Sequence, residues 1–257
     1  MFCKSTIVII DDFFTMRRFP HMILSATQPY FAPFPGFFYK ARLCDVLVVL
    51  DSVQFPRRTT WISRNRFKNS QGTLWMTVPV WKKGLGLQKI NEVRICYDFG
   101  WTRKHLESLK VAYANAPYLA DHMPLVEELF SSAFEKLIDL NMKIIRYVLN
   151  QLRIRTELVL LSELGVEAKG DLLPVTICRK LGSMRFLAQH SAAKYLNPEL
   201  FSEAGIRLEF FRTPSPVYPQ LWGDFIPDLS VFDLIFNCGP KTQDILLGQK
   251  GRGMEGF

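Results

Sequence analysis

Two rhythms of apolar positions alternate along the chain. Residues 23–26, 45–50, 74–80, 92–97, 157–161, 185–188 and 207–211 are short apolar runs of strand length. The run at 45–50 is nearly continuous and partly β-branched, as in a strand buried on both faces. Between these runs the period lengthens toward 3.6. Residues 33–43 read as a helix opened by prolines and Gly36, so 23–50 forms a β-α-β unit, the building block of parallel sheets. A helix is predicted over 102–113. A longer helical region follows over 124–153, with Val126, Leu129, Phe130, Leu137, Ile138, Ile145 and Leu149 on one stripe and a break near Asn141. Residues 172–181 form a helix closed by Gly182. Residues 230–236 form another, capped by Ser230 and stopped at Gly239-Pro240. Strands alternating with helices predict an α/β fold: a Rossmann-like, mostly parallel sheet with a helical insertion at about 102–153. Residues 1–21 read as an N-terminal extension, with Met22 as an alternative start. Residues 22–257 read as a single domain.

Composition narrows the class. The chain has 257 residues, 48% hydrophobic and 22% charged, as in globular proteins. No run approaches the roughly 18 apolar residues of a membrane helix, so membrane insertion is not expected. The N-terminal apolar segment is too short for a signal peptide and ends at Asp11 and Asp12. Five scattered cysteines without a C-x-x-C pair suggest a reducing compartment, hence a cytoplasmic protein. Four histidines and five cysteines never cluster at ligand spacing, so no metal site is assigned.

Charge changes the picture more. Residues 52–91 contain no Asp or Glu but eight cations, and their excess equals the whole net charge of +8. Charge so localised points to an anionic partner: nucleotide phosphate, phosphorylated sugar or nucleic acid.

The candidate chemistry lies at loop positions. QPYFAPFPGFF, residues 28–38, is the first β-to-α loop, and ligands of α/β sheets bind at the carboxyl ends of the strands. Its prolines stiffen it, Gly36 permits close approach, and Gln28 offers both a donor and an acceptor. Asp51 and Gln54 follow the second strand at the same edge. Asp51 is a candidate acid or base, or an ion-pair partner of Arg57 or Arg58. Arg58, Asn65 and Arg66 are candidates for phosphate or carboxylate recognition. Trp61 can stack on a base or sugar. His105, beside Trp, Arg and Lys, is a second candidate acid or base. Tyr218, Gln220 and Asp224 are polar residues in an apolar, proline-rich stretch and either bond one another or complete a pocket.

These blocks resemble the WbqC-like protein family. Gln28, Pro29, Phe31, Pro33, Phe34, Gly36, Phe37 and Lys40 follow its opening signature. DSVQF, SRNRFK, MTVPV, DLLPVTICRKLG and YPQLWGDFIPDLSVFDLIFNCG resemble its later blocks, covering about 22–245. Two positions depart from the family's pattern: Thr27 stands where His is expected, and Ala188-Gln189 where Ser-Gly is expected. The resemblance implies a bacterial surface-polysaccharide or sugar-modification context. The expected function is a transferase or ATP-dependent ligase moving an acyl, aminoacyl or nucleotidyl group on a nucleotide-linked or amino sugar. The loop from Gln28 to Lys40 would hold phosphates with Arg58, Asn65 and Arg66, and Asp51 or His105 would handle the proton. ATP is the candidate cofactor, with Mg²⁺ if ATP is used. The alternative is a non-enzymatic module binding RNA or a phosphorylated glycan through the acid-free window.

Overall fold

A computed structural model of the chain describes residues 19–247 and the backbone of 255–256. Five parallel strands make the sheet: β1 (Phe19–Thr27), β2 (Val46–Val49), β5 (Glu157–Leu160), β6 (Ser183–Gln189) and β7 (Arg207–Phe211). Their order is β5-β2-β1-β6-β7, and β8 (Glu255–Gly256) pairs antiparallel with β7. β2 and β5 run outward on one side of β1, and β6 and β7 on the other. This is the Rossmann-like arrangement, with its reversal between β1 and β6.

Burial explains the layers. All four residues of β2 are buried. Leu47 and Val49 join one apolar core, while Val46 and Val48 join the other, as a period of two requires. The larger core lies under α1 (Pro35–Arg42), α2 (Trp101–Ala112), α3 (Leu119–Ser131), α4 (Leu137–Gln151) and α7 (Val231–Cys238). The smaller lies under α5 (Leu172–Leu181) and α6 (Pro198–Glu203). A hairpin of β3 (Arg64–Asn69) and β4 (Gly72–Thr77) packs on the larger core through Phe67 and Met76.

Several sequence expectations need correction. The long helical region divides at Ser132–Lys136, not near Asn141, and its first half begins at Leu119. Asn141 is fully buried inside α4 because its amide donates to Pro29 O and Ile62 O, both at 2.8 Å. Residues 92–97 form no strand. A tight turn at Ile90–Glu92 leads into an extended segment with single bridges from Ile95 to Val80 and from Arg94 to Lys136. Strand β3 carries no apolar run, because its sequence, RNRFKN, is mostly charged and polar. Strand β1 starts at Phe19, so residues 19–21 of the expected extension are part of the sheet's first strand. Residues 1–18 lie outside the described residues. Past Gly239-Pro240 the chain turns once more and forms α8 (Thr242–Leu247).

Candidate functional site

A cavity of about 660 Å³ opens where the strand order reverses. Ala26 and Thr27 at the end of β1 and Leu187, Ala188 and Gln189 at the end of β6 form its floor, with α1 and α5 as walls. Another cavity of about 650 Å³, near Arg42, Asp45 and Arg155, lies at the amino ends of β2 and β5, the edge that α/β sheets do not use for ligands. The first cavity is therefore the candidate site.

Its lining is apolar apart from a few groups. Gln28, Thr27, Tyr30, Gln189, Ser191 and Tyr195 offer amides and hydroxyls, and among the described residues Lys40 is the single charged side chain in the lining. Among the described residues, no carboxylate, imidazole or thiol lines it. Lys40 reaches back from α1 and donates to Ala26 O. That bond uses one of three N–H groups on the ammonium. Burial lowers the Lys40 pKa to about 8. Burial also raises the pKa of Tyr30.

The first loop is held from behind. Asn65 Nδ2 donates to Phe31 O at 3.1 Å and to Ala32 O at 2.7 Å, and Asn141 holds Pro29 O. Phe31 N donates to Trp61 O at 2.9 Å, and Pro33 O accepts from Val231 N at 2.8 Å. Ala32 sits at φ 41°, a left-handed conformation that these anchors hold in place. Phe31, Phe37 and Phe38 are core, while Phe34 is half-buried and, with Phe37, lines the cavity. Gly36 is needed for packing: a methyl there would overlap Thr213 Cγ2 and lie 2.6 Å from Phe34 Cε2. Gly36→Ala is expected to cost about 1–3 kcal/mol, read as a lower denaturation midpoint with unchanged m-value.

Of the residues singled out in sequence, Gln28, Gly36, Lys40 and Trp61 line the cavity. The others lie elsewhere. Asp51 is buried; its Oδ1 accepts from Ser162 N at 2.9 Å and its Oδ2 from Ser162 Oγ at 2.6 Å and Asn91 Nδ2 at 3.1 Å. Gln54 and Arg58 are exposed, and Gln54 bridges Lys89 through its backbone. Asn65 is buried behind the loop. Arg66 Nη2 donates to Pro227 O and Asp228 O at 3.1 and 3.0 Å. His105 packs edge-on against Trp101 and Phe130, with Nε2 2.8 Å from Thr77 O, and burial lowers its pKa. Gln220 Oε1 accepts from Lys68 Nζ at 3.1 Å, and Asp224 O accepts from the same amine at 2.6 Å. Burial, then the nearby Asp233 charge, raises the Tyr218 pKa strongly.

Arg66 and Lys68 of the acid-free window are thus engaged internally, Arg57, Arg58, Lys82, Lys83 and Lys89 are exposed, and none of the window's cations lines the cavity. A family model described as the WbqC-like protein family matches residues 28–245, a span that runs from the first loop through every wall of the cavity. The chain belongs to the WbqC-like protein family. This WbqC-like protein is 30% identical over 226 residues to uncharacterized protein Rv1507c of Mycobacterium tuberculosis, across 87% of the chain and 96% of that protein. No solved structure matches it. In this WbqC-like chain the two departures noted above, Thr27 and Ala188-Gln189, all line the cavity. Tyr30, Ser191 and Tyr195 also line it without having been singled out. For Ser191 and Tyr195 the one available signal was their place after an apolar run of strand length.

Proposed function

We propose that this WbqC-like protein is an enzyme of sugar or surface-polysaccharide metabolism that binds a nucleotide-linked or amino sugar in the cavity between β1 and β6. The transferred group would be acyl, aminoacyl or nucleotidyl. Family membership supports the polysaccharide context. The observation that supports the binding site is a preformed cavity at the strand reversal whose one charged lining group among the described residues is the Lys40 ammonium. An anion entering it meets two free N–H donors and no opposing carboxylate. Gln28 and Gln189 supply donor-acceptor pairs suited to hydroxyls. With no acid or imidazole in the lining, the cavity would contribute positioning and charge stabilisation. Nor does the lining fit Mg²⁺ as a protein-held ion, since it offers no carboxylate, and no step is routed through one.

A thermal-shift screen with ATP, CTP, UDP-sugars and dTDP-sugars tests this. One class should raise Tm saturably, by about 5–10 °C at a hundredfold excess over Kd. Exposed Arg57 and Arg58 favour the second reading, an RNA- or phospho-glycan-binding module. That reading gains if no nucleotide shifts Tm while RNA binds with an affinity that collapses between low and moderate salt.

A further inference from the structure

The outer face of the β3–β4 hairpin carries an aromatic and cationic strip, in which the Arg66 guanidinium is also anchored to Pro227 O and Asp228 O. Side chains alternate across a strand. Asn65 and Phe67 are buried, so Arg64 and Arg66 stand on the opposite face, where Trp75 is the register partner of Arg66. Trp61 joins them from the preceding loop. The Trp61 and Trp75 ring centroids are 5.7 Å apart with 30° between planes. The Arg64 guanidinium lies 4.0 Å over Trp75, and that of Arg66 lies 5.8 Å from the Trp61 ring. Trp61 also lines the cavity, so strip and cavity meet at that side chain.

Exposure separates this pair from ordinary packing. Trp61 and Trp75 keep 43% and 42% of their surface in water, although an indole gains most by burial. Large apolar rings left in water beside a cavity mark an interaction site. The strip's own segment favours an anion, since residues 52–91 contain no acid, and the nearby Asp228 meets Arg66 through its backbone oxygen while its carboxylate accepts from Ser215 Oγ. Flat π-surfaces with guanidiniums beside them stack on any base and hold phosphate nearby.

We infer that Trp61, backed by Trp75, is a stacking shelf for the nucleobase of a nucleotide-bearing ligand whose phosphate reaches Lys40 in the cavity. This rests on the cavity being the ligand site. It adds a polarity: base outward on the hairpin, sugar-phosphate end inward toward the ends of β1 and β6.

The test is a calorimetric titration of the full chain with UMP, AMP and ribose 5-phosphate, the last having the phosphate without a base. Both nucleotides are expected to bind about tenfold or more tightly than ribose 5-phosphate. Trp61→Leu should bring that ratio near one by weakening both nucleotides far more than ribose 5-phosphate, and Trp61→Phe should keep part of it. Quenching of tryptophan fluorescence by the nucleotides should disappear with the ratio. A ratio near one in the wild type, or an unchanged ratio in Trp61→Leu, overturns the shelf. If ribose 5-phosphate then still binds in a Lys40-dependent way, the cavity reading stands without it. If none of the three binds, both fall together.

Discussion

Lys40→Met is expected to lose about a hundredfold or more in affinity for the anionic ligand and, at neutral pH, to fold more stably than the wild type. The two effects have one cause. Burial holds the Lys40 pKa at about 8, below its ordinary 10.5. Between those values the unfolded chain binds more protons than the folded one, so stability rises with pH through that window. Below pH 8 the ammonium is charged in both states and its full desolvation cost is present. Removing it there should stabilise the fold by about 1–3 kcal/mol, a gap that closes as pH approaches 10.5. Ligand affinity of the wild type should fall above pH 8, as the ammonium that grips the anion deprotonates. Urea titrations of both proteins at pH 7 and 10, with ligand titrations at pH 7 and 9, check each limb. A variant that binds as tightly as the wild type removes Lys40 from the site.

Asn65→Ala should do the opposite: it should cost about 2–4 kcal/mol of stability. The amide holds two loop carbonyls, those of Phe31 and Ala32, and its Oδ1 accepts from Arg66 N at 2.8 Å. Alanine leaves those groups buried without partners and frees a loop that keeps Ala32 in a left-handed conformation. Tm should drop by several degrees. Ligand binding, measured below the transition, should weaken through loss of loop order rather than loss of a contact. Unchanged stability would mean the first loop is held by something else.

These two residues show where the sequence was legible. Lys40 is marked by the family's opening signature, and the structure sets it on α1 with its amine at Ala26 O, near the carboxyl end of β1. The all-buried β2, the left-handed Gly182 that closes α5 and the Ser230 cap of α7 were legible from local pattern. Asn65, Arg66 and Lys68 were not. Polar and cationic residues in a short segment look free to meet a ligand. Their partners lie about 33 to 162 positions away, at Ala32, Gln220, Asp224, Pro227 and Asp228. Likewise Asp51 looked like an acid at the ligand edge until the turn after β5 brought Ser162 to both of its oxygens. Local pattern gives the period of an element; distant contacts decide whether its polar groups are already occupied. Asn141 misled in the same way, because a polar residue in an apolar stripe reads as a break unless its distant partners are known.

The most direct measurement is a crystal structure with the nucleotide that gives the largest thermal shift. Ligand density is expected in the cavity, with an anionic group within hydrogen-bond distance of Lys40 Nζ and polar contacts to Gln28. Density confined to the exposed surface around Arg57 and Arg58, with the cavity between β1 and β6 holding only water, would contradict it.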